Sequence, residues 1–378
     1  MCEDIFYFVR IQLNTVREHT SASSDLLALV VALIFDQLRS KQISVRDTLL
    51  SDLKLTCACA NDYLRMSENA EDLLAKVIEE CKVHKNVEVQ LDDSLSKLLL
   101  LYGRDAVFTA QYTSTFVFAS IEEATEINLF SIEWEKDLKN KKQIKSIVKT
   151  MEDYLEDFEK WLDPFLFGKS VEALVMASSV FYIKCLITKA EFHGSKKKPY
   201  FQNPQSAIEC IRADIVVLRD FFTAFISRLP KIVKVVNDSI EMLNAVVNCL
   251  DDAITSDYKD SFKNRSRYFV VLCDKIGELE LTKNLIGDLY HLAAPQREVK
   301  VRKLIKDNWI RPNQSIESDH TCYGTNRKGC EGIYLTQMLK RCAHSKRQKI
   351  SSKAMKKIKK AVKGKKGGFK LGKSADEV

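Results

Sequence analysis

The sequence predicts an all-α protein: an elongated stack of antiparallel helical bundles with a disordered basic C-terminal tail. Three observations predict it. No proline precedes Pro164 and a single glycine, Gly103, precedes Gly168, so the tight turns that join strands have almost nowhere to form. Apolar residues recur three and four positions apart over long stretches, which is the period of one helix face. Charge divides sharply along the chain: residues 340–378 carry fifteen Lys or Arg and two acids, a formal +13, which leaves 44 basic and 49 acidic residues, or −5, before them. The net +8 therefore describes a mildly acidic body with a basic tail, not a basic protein.

With 378 residues and 46% apolar content, the chain has material for a core larger than one compact unit needs. Two helical bundles are expected, over 1–165 and 166–310, followed by a polar Cys/His-containing linker at 311–339 and the tail at 340–378. Helical spacing is visible near 25–42, 70–83, 91–118, 145–162 and 169–192, and about ten helices are expected in all. Ile211, Ile215, Leu218, Phe222, Phe225 and Leu229 alternate four and three apart until Pro230, which predicts a helix ending there. Ile232, Val236, Ile240, Leu243, Val247 and Leu250 repeat the arrangement, so an antiparallel pair across Pro230 is expected. The clearest loop is His193–Gln205, and Ser206-Ala-Ile-Glu209 reads as a capping box opening the next helix. Further breaks fall at Pro295 and Pro312, with the folded body ending near residue 310.

The longest strongly apolar run, Leu26–Phe35, is ended by Asp36 well short of the roughly 18 residues a membrane span needs, so no bilayer crossing is expected. The opening residues show no secretory signal pattern. Of the eleven cysteines, Cys81, Cys185, Cys210, Cys249 and Cys273 stand singly inside apolar helical patterns and read as small core residues in a reducing, intracellular setting.

Chemical motifs are sparse. Gly168-Lys169-Ser170 resembles the end of a phosphate-binding loop, but that loop requires a glycine where Asp163 stands, and Pro164–Phe167 reads as a turn packing on the next helix. Asn61 and Asp62, with Ala60, sit among small residues, where buried polar groups bridging to neighbouring helices are expected. Cys57 and Cys59 point to different sides of a helix. His320, Cys322, Cys330, Cys342 and His344 are the one cluster with zinc-ligand chemistry. Their irregular spacing matches no compact structural-zinc pair, so a polar linker is expected and no metal or other cofactor is assigned. No nucleophile, base and orienting group can be named together, and no enzyme activity or small-molecule substrate is expected.

The tail carries the strongest chemical signal. On a helix, Ala354, Met355, Ile358, Ala361 and Val362 gather on one side, while Lys353, Lys356, Lys357, Lys359, Lys360 and Lys363 fill the rest and Lys365 and Lys366 follow. A basic amphipathic helix suits an anionic membrane, each lysine near the surface contributing about 1 kcal/mol. The same lysines attract nucleic-acid phosphates or act as a nuclear-targeting run, though the tail has a single aromatic, Phe369, for base stacking.

Three stretches carry a family resemblance. Cys57-Ala-Cys-Ala-Asn-Asp-Tyr-Leu-Arg-Met-Ser-Glu-Asn-Ala-Glu-Asp-Leu73, Tyr154–Leu162 and Ile211–Phe222 are similar, in order and spacing, to the Sec-six family of the exocyst, with Leu26–Leu38 resembling the helix before the first. The resemblance is to the C-terminal half of that family and spans roughly residues 1–300. It implies a helical rod of the multisubunit-tether type and a non-enzymatic role in docking secretory vesicles. The implied partners are other exocyst subunits and SNARE proteins, and the implied place is cytoplasmic, peripheral at plasma-membrane sites of exocytosis.

Overall fold

The computed structural model describes residues 50–81, 85–125, 128–195, 197–255, 267–307 and 335–345, with scattered positions before residue 50. Among the described residues it is a stack of antiparallel α-helices without a strand. Ten helices follow in order: α1 (Leu53–Cys81), α2 (Lys85–Thr125), α3 (Ile132–Lys136), α4 (Lys142–Trp161), α5 (Pro164–Phe192), α6 (Pro204–Thr223), α7 (Val233–Ile254), α8 (Arg267–Ile276), α9 (Leu279–Ala293) and α10 (Glu298–Asp307). Short 3-10 turns at Pro230–Ile232 and Pro295–Arg297 open α7 and α10.

Each helix takes its place from its pattern. α4 buries Ile144, Ile147, Met151, Leu155 and Phe158, a single stripe that leaves the other face to water. In α5, 18 of its 29 residues are buried, and it packs on α2, α4, α7 and α9. In the sequence Leu26–Phe35 is the longest apolar run, yet among the described residues α5 is the helix whose length and composition would suffice to cross a membrane. It is the central core helix instead, with 78% of its most apolar window inside the molecule. One apolar cluster runs without a break from α1 through α10.

The antiparallel pair across Pro230 is present as α6 and α7. α6 ends at Thr223, ahead of the proline, and the chain continues through turns closed by Phe222 O to Phe225 N and Phe225 O to Leu229 N. Phe225 and Leu229 stay packed on the core there, so the apolar spacing outlasts the helix. The start of α6 differs from the expected capping box: Asn203 is the cap, its side chain accepting the Ser206 N–H at 3.2 Å, because Pro204 supplies a ready-made first helical residue. By the same device Pro164–Phe167 is the first turn of α5, not a preceding turn, with Asp163 Oδ1 accepting the Phe165 N–H at 2.8 Å. The segment read at 91–118 lies within the longer α2, and residues 70–81 of the segment read at 70–83 lie within α1, whose polar and small residues extend the helices without breaking the backbone ladder. Of the segment near 25–42, residues 30, 33, 34 and 36–41 are described and are helical.

The folded body continues past residue 310. Residues 335–345 are helical, and Leu335, Met338 and Leu339 are buried in the main cluster. α10 is locked to α9 through Arg302, whose guanidinium donates to Lys283 O (3.0 Å), Asn284 (3.1 Å) and Asp288 (3.1 Å) of α9, and to Glu298 (3.0 Å) of its own helix. Gly287 makes room for it, since a Cβ there would overlap the guanidinium.

Candidate functional site

The first resembling stretch, in α1, meets the second, at the end of α4, through one side chain. Asn61 Nδ2 donates to Trp161 O at 2.7 Å, and Asn61 Oδ1 accepts the Asp163 N–H at 2.9 Å. Helix ends leave carbonyls and amides without partners. Asn61 satisfies one of each at the α4–α5 junction, and Asp163, so held, caps α5. Ala60 and Tyr63 are buried on the same helix, while Asn61 and Asp62 are half-buried. The amide of Asn61 thus bridges α1 to the α4–α5 junction.

The third stretch, in α6, contributes a buried carboxylate. Asp214 Oδ2 accepts from Trp134 Nε1 at 3.0 Å and from the Tyr182 hydroxyl at 2.8 Å, tying α6 to α3 and α5. Burial pushes its carboxyl up to about 6, against the pull of those two hydrogen bonds and of Lys141. Phe130 packs edge-on against both Trp134 and Tyr182, with ring centroids 4.9 Å apart in each case. Its backbone sits at φ 61°, a conformation costing about 1–3 kcal/mol outside glycine and held here by that packing. The neighbouring Glu135 turns its carboxylate to the backbone, accepting the N–H groups of Gln202 (3.0 Å) and Asn203. Tyr200 completes the junction by donating to Phe130 O at 3.1 Å.

Geometry decides what this polar cluster does. The cavity beside Asp214, lined by Trp134, Asp137, Leu138, Lys141, Cys210, Ala213 and Asp214, has a volume of about 10 Å³. That is about enough for one water and too small for a substrate. Cys210 lies alongside, its thiol pushed up to about 11 chiefly by burial, and burial raises Cys57 and Cys273 to about 12. Thiols so placed stay protonated and unreactive. At the phosphate-loop look-alike, Ser170 Oγ donates to Ala110 O of α2 at 2.9 Å and so serves helix packing, while Lys169 pairs within α5 with Glu172 at 2.9 Å.

Of the cysteine and histidine cluster, His320, Cys322 and Cys330 lie outside the described residues. Cys342 is half-buried beside Met338 Sδ at 3.6 Å, and His344 is exposed. Among the described residues no group of three His, Cys, Asp or Glu side chains is placed to hold a metal. The basic-tail residues Lys353, Lys356, Lys357, Lys359, Lys360, Lys363, Lys365 and Lys366 also lie outside the described residues. Sequence reading passed over Asp214, Trp134, Tyr182 and Glu135. One signal was available for the first: Asp214 stands between Ile211 and Ile215 on the buried stripe of α6, where a charge requires partners.

Taken together, the all-helical stack and a polar cluster turned to helix junctions define a helical packing protein. The chain belongs to the Sec6 family: the family model described as exocyst complex component Sec6 matches residues 2–269. That match ends inside α8, somewhat short of the span expected from the resembling stretches. No solved structure matches the chain.

Proposed function

We propose that this chain is a non-enzymatic subunit of the exocyst that helps dock secretory vesicles at the plasma membrane. It works through contacts with other exocyst subunits and SNARE proteins, while its basic tail holds anionic phospholipid. The observation that carries the reading is the Sec6 family match over residues 2–269. The architecture suits the role, because side-by-side helices leave grooves for partner helices and a stack of them gives reach. Fifteen cations in residues 340–378 add an electrostatic hold on an anionic leaflet.

Affinity purification of the full chain from cells tests the first part: other exocyst subunits are expected among the captured proteins, and their absence together with that of SNAREs would overturn it. Flotation with phosphatidylserine- and phosphoinositide-containing vesicles tests the second. Deleting residues 346–378 is expected to abolish flotation, and tail-dependent retention of RNA without flotation would favour a nucleic-acid-binding tail instead.

A further inference from the structure

We propose that the junction where α5 and α9 finish and α10 begins is a second membrane-contact surface, built on the folded body. Phe192 and Val299 dip into an anionic leaflet there, while Lys197, Lys198, Lys300 and Lys303 hold its phosphates. The inference rests on the membrane part of the proposed function and deepens it, since it adds a contact that the tail does not supply.

Phe192 and Val299 are 76% and 78% exposed, the two most exposed large apolar side chains among the described residues. Scattered apolar residues on a surface are ordinary, but these two flank one bridge. His193 O, next to Phe192, faces His291 Nε2 at 2.9 Å, and His291 Nδ1 faces Glu298, next to Val299, at 2.8 Å. Lysines surround the bridge. Lys197 and Lys198 are exposed in the loop after α5, and Lys300 and Lys303 are exposed on α10, whose Val301 and Ile305 face the core. The nearest acids along the chain are turned in: Glu298 lies against His291 and Arg302, and Glu191 is half-buried.

The loop is fixed before any membrane arrives. Ser195 Oγ accepts the N–H groups of Lys197 (3.3 Å) and Lys198 (3.0 Å), His193 Nε2 meets Lys198 O at 2.7 Å, and the Tyr200 N–H donates to Leu292 O at 2.8 Å. Little freedom of the backbone is therefore left to lose on binding. The choice of cation points to lipid. The two arginines of the junction are turned inward, Arg297 onto the carbonyls of Ala253 and Thr255 and Arg302 onto α9, so the cations left exposed are lysines. Protein interfaces are enriched in arginine and depleted of lysine. Two apolar side chains set among lysines are also too little area for a stable protein interface, whereas a fluid leaflet is drawn by lysine charge and needs only shallow insertion.

The test uses the full chain and vesicles of phosphatidylcholine and phosphatidylserine, with a second set carrying bromine on the acyl chains. Phe192→Trp puts a fluorophore at the tip, and the chain's own three tryptophans set the baseline. Brominated vesicles are expected to quench this variant more than the wild type, because bromine quenches only at short range. Reversing Lys197, Lys198, Lys300 and Lys303 together to Glu is expected to weaken flotation on the order of tenfold, with the tail intact. All five positions are exposed, so the helical melt should match that of the wild type. Flotation without added quenching, or unchanged flotation of the reversed-charge variant, would overturn this inference and leave the tail's role standing. No flotation of the wild type would overturn both. Loss of a captured exocyst subunit from the reversed-charge variant, with vesicle binding unchanged, would assign the surface to a protein partner instead.

Discussion

α4 and α5 are consecutive, joined across Leu162 and Asp163, and yet they obey opposite rules. α4 buries five residues in one stripe and presents Lys149, Glu152, Glu156 and Lys160 to water. α5 buries residues on every side, including Ser170, Ser178 and Ser179, whose hydroxyls donate to backbone carbonyls of helices. The difference teaches that an apolar helix is defined by its neighbours. α5 meets four other helices, and its charges, such as Lys169, Glu172 and Lys184, are only half-exposed. An apolar stretch of spanning length is thus a core element here because α2, α4, α7 and α9 already surround it.

That contrast can be broken most severely by placing a charge in α5. Val175→Lys buries an unpaired ammonium at a position that is 1% exposed, and a loss of more than about 4 kcal/mol is expected, read as failure to melt cooperatively by circular dichroism. A similar change on the outer face of α4, Glu156→Gln, should leave the melting temperature unchanged. Phe158→Ala empties a fully buried site on the α4 stripe and is expected to cost about 3–5 kcal/mol in urea titration. If it cost less than 1 kcal/mol, α4 would not be packed on the core as described.

Asp214 sharpens the comparison through pH. Its folded-state carboxyl titrates near 6 against an ordinary value near 4, so the folded protein holds this proton more tightly. The stability that the proton contributes is full below about pH 4 and is lost as pH rises through about 6. This amounts to about 2 kcal/mol between pH 4 and pH 8. Asp214→Asn keeps an oxygen for Trp134 and Tyr182 but has no charge to bury. The variant should lose that part of the pH slope, whereas an unchanged slope would remove Asp214 from the account. The smallest loss is expected at the joint between the two helices. Asn61→Ala leaves Trp161 O and the Asp163 N–H without their side-chain partner, at a cost of about 1–2 kcal/mol. Faster hydrogen exchange should follow at the first turn of α5.

Much of the architecture was legible because periodicity is local. The spacing from Ile211 to Leu250 predicted the α6–α7 pair, and the scarcity of glycine and proline before residue 164 predicted long helices. The three resembling stretches identified the family from residues alone. Capping was read less well: Ser206 looked like a cap, but Asn203 and Pro204 start α6 because backbone geometry at one residue outweighs a four-residue pattern. In the candidate site, Asn61 was anticipated as a bridge between helices but its partners were not, since Trp161 and Asp163 lie a hundred positions away.

The sequence by itself determined which stretches are helical, which face of each is apolar, where charge concentrates and which family the chain resembles. Each of these depends on neighbours within a few turns along the chain. Only the tertiary structure decided that α5 lies at the centre, that Asp214 joins Trp134 and Tyr182, and that residues 335–345 fold back onto the core. Those outcomes depend on which distant surfaces meet, and a buried polar group shows its partner only when the helices carrying both are packed together.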